Sequence, residues 1–311
     1  MKKIAFVFPG QGSQSVGMLD AWTGNAAVAD TLAGAGQALG QDLAGLIAAG
    51  PAEQLNLTTN TQPAMLAAGV AVYRAWLAAG GRRPDVVAGH SLGEYAALTA
   101  AGVLALEDAV RLVRVRADAM QNAVPVGAGA MAAVLGLDDD AVRAACAEAA
   151  QGEVVEAVNF NAPAQVVIAG HKAAVERACQ AAKAAGARRA LPLPVSAPFH
   201  SSLLRPAADV LARALADAPV AAPRIPVINN VDVATPDDPA AVRDALVRQA
   251  WHPVRWVETV RAMKARGITH VIECGPGGVL AGLTKRIDAD LVGMSVADPA
   301  SLEAALAAVG N

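Results

Sequence analysis

An α/β fold is predicted for this chain: a large domain with a mostly parallel sheet covered by helices, and a small domain inserted into it. Three observations predict it. Short apolar runs such as Ile4 to Phe8 and Asp85-Val86-Val87-Ala88 each lead into a glycine-containing turn and then toward helix-forming stretches. That alternation favours a parallel sheet with both faces covered. From Gly127 the order of elements changes to β-α-β-β-α-β, the order of a split ferredoxin-like unit. Hydrophobic residues make up 54% of the 311 residues and charged residues 17%, which is ample material for a core and gives no sign of disorder.

The elements follow in order. Ile4 to Phe8 reads as a first strand, and Pro9-Gly10-Gln11-Gly12-Ser13-Gln14 as a tight loop after it. Leu66, Val70, Tyr73 and Leu77 recur at helical spacing, with Pro63 placed in the first turn of that helix. A strand at Asp85–Ala88, a helix at Glu94–Ala101 and a helix from about Glu107 to Gln121 come next. Ala130 to Leu135 is strand-like, and Asp138 to Ala150 is helical with acidic residues in its first turn. Val154 to Asn159 and Gln165 to Ala169 read as short strands joined by Asn161-Ala162-Pro163. Ala173 to Ala185 is a helix closed by Gly186, and Arg189 to Val195 a last strand. The small domain is therefore 127–196, and the large domain comprises 1–126 and 197–311. In the latter, Ile225 to Asn229 and Thr269 to Glu273 read as strands, and Arg243–Gln249 and Val254–Arg266 as helices. Gly275-Pro276-Gly277-Gly278 opens another helix.

Composition narrows the function. A net charge of -3 argues against a nucleic-acid binder. Cys146, Cys179 and Cys274 are odd in number and lack metal-ligand spacing, as expected of reduced thiols in a cytoplasmic protein. The apolar run after Met1-Lys2-Lys3 stops at Pro9-Gly10, too short for a signal peptide. The most apolar of the longer segments, Pro63 to Gly80, is interrupted by Arg74, so no membrane span is expected.

The chemistry is expected at Gly89-His90-Ser91-Leu92-Gly93, a G-x-S-x-G sequence between a strand and a helix. Such a turn lifts a serine hydroxyl clear of the sheet and aims the first helical N–H groups at an anion forming beside it. A serine needs a positioned base. His200, in Pro198-Phe199-His200-Ser201, stands where the small domain rejoins the large one, and domain junctions are common places for clefts. His171, His252 and His270 read as structural, while His90 is placed to line a pocket. No carboxylate stands out as a third member, because Asp138-Asp139-Asp140 is explained as helix N-terminal charge. A neutral acceptor, an amide or a backbone carbonyl, is left to orient the base.

Arg116 shares a helical face with Ala109, Leu112, Val113 and Met120, so it lies on the apolar stripe. Two readings stand: it snorkels or bridges to a local acid, or its fork holds a substrate carboxylate. The Gln11 backbone N–H, in a loop of small residues, is a plausible oxyanion donor beside that of Leu92.

Taken together these residues resemble the malonyl-CoA:acyl carrier protein transacylases of bacterial fatty-acid synthesis, over essentially the whole chain. Phe8-Pro9-Gly10-Gln11-Gly12-Ser13-Gln14, Gly89-His90-Ser91-Leu92-Gly93-Glu94-Tyr95, Ala130-Met131-Ala132-Ala133 and Asn159-Phe160-Asn161 occur in family order. So do Val166 to His171, Asn229-Asn230-Val231 and Glu273-Cys274-Gly275-Pro276-Gly277. The resemblance implies an α/β-hydrolase-like large domain with a ferredoxin-like small one. It implies that Ser91 becomes acylated, that His200 acts as base and then acid, and that Gln11 and Leu92 form the oxyanion hole. Arg116 would bind the malonyl carboxylate, and the Gln249 backbone carbonyl would orient the histidine. Phe199, a bulky residue before His200, accompanies malonyl rather than methylmalonyl selection in related acyltransferases. His90 and Met120 are expected to line the substrate pocket.

No metal or bound cofactor is implied; coenzyme A enters as a thioester substrate and leaves as product. The implied partner is holo acyl carrier protein, and family precedent favours a monomer. Arg188-Arg189 and Lys285-Arg286 are candidate docking residues for that acidic carrier. The competing readings are a serine esterase or thioesterase, a malonyl transferase serving a polyketide or malonate-metabolising system, and a non-catalytic carrier-binding subunit. Ala96 and Gly278 depart from the residues frequent in the family without touching the chemistry.

Overall fold

The computed structural model describes residues 2–195 and 197–310. Nine strands are present among them: β1 (Ile4–Phe8), β2 (Val86–Gly89), β3 (Gly129–Leu135), β4 (Val155–Ala162), β5 (Gln165–His171), β6 (Arg189–Pro192), β7 (Val227–Ile228), β8 (His270–Cys274) and β9 (Val292–Val296). They form two sheets, ordered β7-β2-β1-β8-β9 and β4-β5-β3-β6. Every pairing in the first is parallel and every pairing in the second antiparallel.

Strand β1 runs through the centre of the parallel sheet with all of its residues buried. Its alternating side chains feed two cores. Ile4, Phe6 and Phe8 pack with the helix Thr58–Ala78, where Trp76 and Tyr73 meet the Phe6 ring edge-on at 5.0 and 5.7 Å. Ala5 and Val7 face the opposite way, onto the helices Trp256–Ala265 and Val279–Ile287. Burial on both faces explains why this strand is a continuous apolar run rather than an alternating one.

The antiparallel sheet has the strand order of a ferredoxin-like unit and carries the helices Asp139–Ala150 and Lys172–Ala184 on one face. Val166 and Ile168 of β5 point into that core. Val167 and Ala169, with Met131 of β3, point the other way and pack against Met120, Phe199 and Leu204. Backbone bonds also tie β4 to the parallel-sheet unit: Phe160 N–H donates to Val254 O (3.0 Å) and Val254 N–H to Val158 O (2.9 Å). The site therefore has a wall from each sheet. The antiparallel sheet lies within the proposed 127–196 domain, whose last residue, Ser196, lies outside the described residues.

Several expected boundaries shift. The Pro63 helix begins at Thr58, so Pro63 lies in its interior rather than its first turn. Asn60 and Thr61 N–H both donate to Leu57 O (2.8 Å each) and start the helix upstream, in a polar run with no apolar period. Strands β4 and β5 extend to Ala162 and His171, and they are joined at Pro163-Ala164, with Ala164 at φ 57. Two register irregularities in β4 break its alternation and shortened its apparent length. The last small-domain strand stops at Pro192 instead of Val195, and β7 keeps only Val227–Ile228 of the expected Ile225–Asn229. Pro192, Pro194 and Pro226 have no N–H to give a ladder, so apolar content overstated both strands. The helices Ala26–Leu39, Arg205–Asp217 and Pro299–Val309 and the strand β9 had no counterpart among the expectations.

Candidate active site

The first two strands of the chain end side by side, Phe8 opposite Gly89, and a cleft of about 200 Å³ opens beyond their carboxyl ends. This is where a parallel α/β sheet offers its loops to a ligand. Gln11, Ser91, Leu92 and Arg116 line it from the parallel-sheet side, and Met131 and Val167 from the antiparallel sheet. His90, Met120, Phe199 and His200 complete the wall.

Ser91 sits at φ 53, a left-handed conformation that a non-glycine residue adopts only under constraint. Its neighbours make the turn sterically possible. A Cβ on Gly89 would lie 1.9 Å from the Gly93 carbonyl carbon, and one on Gly93 would lie 2.0 Å from Phe8 O. Asn230 braces the turn: its side-chain oxygen accepts from Ser91 N–H (2.8 Å), and its amide donates to Gly89 O (2.7 Å). The helix Gly93–Ala100 starts immediately after, with its N-terminal dipole end toward the serine.

His200 Nε2 lies 2.6 Å from Ser91 Oγ, and its Nδ1 lies 2.9 Å from the backbone oxygen of Gln249. A carbonyl only accepts, so Nδ1 carries the proton and Nε2 presents its lone pair to the serine hydroxyl. Burial and then the Arg116 charge push the imidazole from 6.5 down to about 3, which keeps it neutral. The acceptor that orients it is a backbone carbonyl, one of the two neutral possibilities left open by the sequence.

Arg116 is 1% exposed. Its Nη2 donates to Ser91 Oγ (3.1 Å) and to Gln249 Oε1 (3.0 Å), and its Nη1 donates to Gln62 Oε1 (2.8 Å). No ion pair forms on it among the described residues. It neither snorkels nor bridges to a local acid. The buried Glu94 carboxyl hydrogen-bonds to Gln249 rather than to Arg116, and burial raises it from 4.5 to about 7. A buried cation hydrogen-bonded to neutral groups, 3.1 Å from a serine hydroxyl, has the chemistry to receive an anion.

The backbone N–H groups of Gln11 and Leu92 donate to no other group among the described residues, and both residues line the cleft with Ser91. Gln11 is held by its side chain, whose amide donates to Thr58 Oγ1 (3.4 Å). His90 lies 2.8 Å from Asn161 Oδ1 and packs on the Trp256 ring at 5.6 Å, and burial lowers its pKa. Met120 and Phe199 pack together with Met131 and Val167 as an apolar wall. Gln249 is wholly buried behind the cleft rather than in its lining.

The sequence did not single out Gln62, Glu94, Asn161 or Asn230. No periodicity marks them as Arg116 was marked, although the last three lie inside motifs quoted for the resemblance. The basic pairs Arg188-Arg189 and Lys285-Arg286 are exposed and lie outside the cleft lining; Arg286 bonds to the Gln165 side chain. No helix among the described residues is long and apolar enough to cross a membrane, and no group of three or more His, Cys, Asp or Glu side chains there is arranged to hold a metal ion.

A family model described as an acyl transferase domain matches residues 5–301. The chain is 57% identical over 307 residues to the malonyl CoA-acyl carrier protein transacylase of Escherichia coli, covering 98% of this chain and 99% of that protein. Its fold is similar to an acyl-carrier-protein S-malonyltransferase from Burkholderia pseudomallei, with TM-score 0.97, 68% identity and 98% and 99% of the two chains covered. It is also similar, with TM-score 0.97 and 53% identity over 98% and 99% of the chains, to a malonyl-transacylase solved in complex with a type II polyketide acyl-carrier protein. Family model, full-length identity and fold agree, and the chain belongs to the malonyl CoA-acyl carrier protein transacylases of the acyl transferase family.

Proposed function

We propose that this protein moves a malonyl group from coenzyme A to the phosphopantetheine thiol of an acyl carrier protein, supplying fatty-acid synthesis. The observation that carries the reading is Arg116, a buried guanidinium 3.1 Å from the Ser91 hydroxyl with no carboxylate of its own. A thioester whose acyl group ends in a carboxylate satisfies both groups at once.

Ser91 Oγ attacks the thioester carbonyl as its proton passes to His200 Nε2. The Gln249 carbonyl stabilises the imidazolium through Nδ1–H. Gln11 and Leu92 N–H receive the tetrahedral oxyanion, and one such donor is commonly worth about 10²–10³ in rate. His200 returns its proton to the departing coenzyme A sulfur, leaving a malonyl-serine ester. The carrier thiol then attacks that ester, with His200 taking its proton and returning it to Ser91 Oγ. Arg116 holds the malonyl carboxylate throughout, and the Phe199–Met120 wall leaves an apolar flank for the acyl carbon. Coenzyme A is thus a substrate, and neither metal nor bound cofactor has a step.

Intact-mass measurement after mixing with malonyl-CoA, with and without holo carrier protein, tests this. A malonyl adduct on Ser91 that transfers to the carrier is expected. Fast release of free malonate without a malonyl-carrier product would mark a thioesterase instead, and an unmodified Ser91 would mark a non-catalytic subunit.

A further inference from the structure

Gln249 does more than offer its backbone oxygen to His200. Its side-chain amide lies between the two halves of the site: Oε1 accepts from Arg116 Nη2 (3.0 Å), while Nε2 donates to Ser91 O (2.8 Å) and to Glu94 Oε2 (3.1 Å). A glutamine amide has two ends of similar shape, so its orientation is decided by its neighbours. Arginine only donates and requires the oxygen end. The Ser91 carbonyl satisfies one of the two amide protons, and the other depends on the Glu94 carboxyl.

That carboxyl sits on the first turn of the helix after Ser91, 2% exposed. The same Oε2 accepts from Asn230 N–H (2.9 Å), the residue whose side chain braces the serine turn. A buried acid costs stability unless its bonds repay the desolvation. Here the acid lies within the nucleophile motif, and one of its two partners is the amide that holds Arg116.

We infer that Glu94 is a positioning residue: together with the Ser91 carbonyl, its carboxyl anchors the nitrogen end of the Gln249 amide, which keeps the oxygen end on Arg116 and aims the guanidinium at the acyl carboxylate. The inference rests on the malonyl-transfer reading. Without the Glu94 acceptor, Gln249 loses one of its two donor contacts and its oxygen is no longer confined to Arg116. The Arg116 terminal nitrogen then relaxes, which weakens recognition of the charged acyl group more than acyl transfer in general.

The test is the ratio of kcat/KM for Ser91 acylation by malonyl-CoA to that by acetyl-CoA, in four proteins: Glu94→Leu, Glu94→Gln, Gln249→Met and the double variant Glu94→Leu with Gln249→Met. Glu94→Leu should lower the ratio by about tenfold or more, chiefly through a raised KM for malonyl-CoA. Glu94→Gln, whose side-chain oxygen accepts in the same place, should restore the ratio to within about threefold of wild type. Gln249→Met keeps the backbone carbonyl for His200 and tests the same chain of contacts if Glu94→Leu does not fold. Its ratio should fall similarly, and the double variant should be no worse than Gln249→Met alone, because the two residues act in series. A Gln249→Met ratio equal to wild type, or a double variant whose loss is the product of the single losses, would overturn the inference. A wild-type protein that takes no malonyl group would instead overturn the malonyl-transfer reading itself.

Discussion

Arg116 Nη2 donates to the Ser91 hydroxyl oxygen across 3.1 Å, so the residue proposed to recognise the acyl group touches the atom proposed to receive it. The same hydroxyl donates to His200 and accepts from Arg116, which leaves serine, imidazole and guanidinium in one contiguous network. The consequence is selective. Arg116→Ala should lower kcat/KM for malonyl-CoA by about 10²-fold or more, the scale of losing a buried charge pair, and lower that for acetyl-CoA far less. Arg116→Lys should fall between, since a single ammonium cannot reproduce the guanidinium fork. An unchanged malonyl-to-acetyl preference in Arg116→Ala would remove Arg116 from the role.

On the proposed mechanism the His200 imidazole, pushed to about 3, sets the acid limb of the reaction. A base works in its neutral form, and a lowered pKa keeps that form present as pH falls. Single-turnover acylation of Ser91 should therefore stay flat from about pH 8 to pH 5, where a histidine near 6.5 would already have lost most of its base form. Arg116→Met removes the second cause of the shift, so its acid limb should move upward. An inflection near pH 6.5 in the wild-type profile would contradict this.

The turn that carries Ser91 depends on glycine at position 93. A methyl group there would meet Phe8 O at 2.0 Å, and backbone cannot yield as a flexible side chain would. Gly93→Ala should cost more than about 3 kcal/mol of stability or displace the serine enough to abolish acylation. Thermal unfolding and intact mass report the two outcomes, and a variant that keeps both its stability and its adduct would refute the steric argument.

Glu273, wholly buried on β8, accepts from Ala281 N–H (2.8 Å) at the start of the helix Val279–Ile287, and its other oxygen has no partner among the described residues. Burial raises its carboxyl from 4.5 to about 7. An acid whose folded pKa is raised contributes fully below its unfolded value, and that contribution is lost as pH rises through the folded one. Glu273→Gln keeps the acceptor without the ionisation. Its stability relative to wild type should climb between pH 4.5 and about 7, by at most about 3 kcal/mol. Denaturant unfolding at several pH values checks the difference, and a constant difference would show that this carboxyl does not titrate in the window.

The nucleophile turn was legible because its requirements are local: small residues on either side of Ser91, an apolar run before and helix formers after. The alternation of elements and the β-α-β-β-α-β order were legible for the same reason, since periodicity and breakers act over a few residues. Strand ends at Pro192, Pro194 and Pro226 misled that reading, because a ladder ends where N–H groups run out, not where apolar residues do. The polar companions Gln62, Glu94, Asn161 and Asn230 carried no mark of their purpose, as their partners in the site lie 54 to 155 residues away along the chain.

By itself, then, the sequence determined that Ser91 stands on a strand-to-helix turn and that Arg116 lies on an apolar face where a charge needs a reason. Tertiary structure alone placed that charge beside the Ser91 hydroxyl. Parallel pairing of β1 with β2 placed the Gln11 loop beside Ser91, and the return of the chain at His200 put a neutral base 2.6 Å from its hydroxyl. Burial did the rest, because excluding water made the missing carboxylate partner of Arg116 costly unless a substrate supplies it.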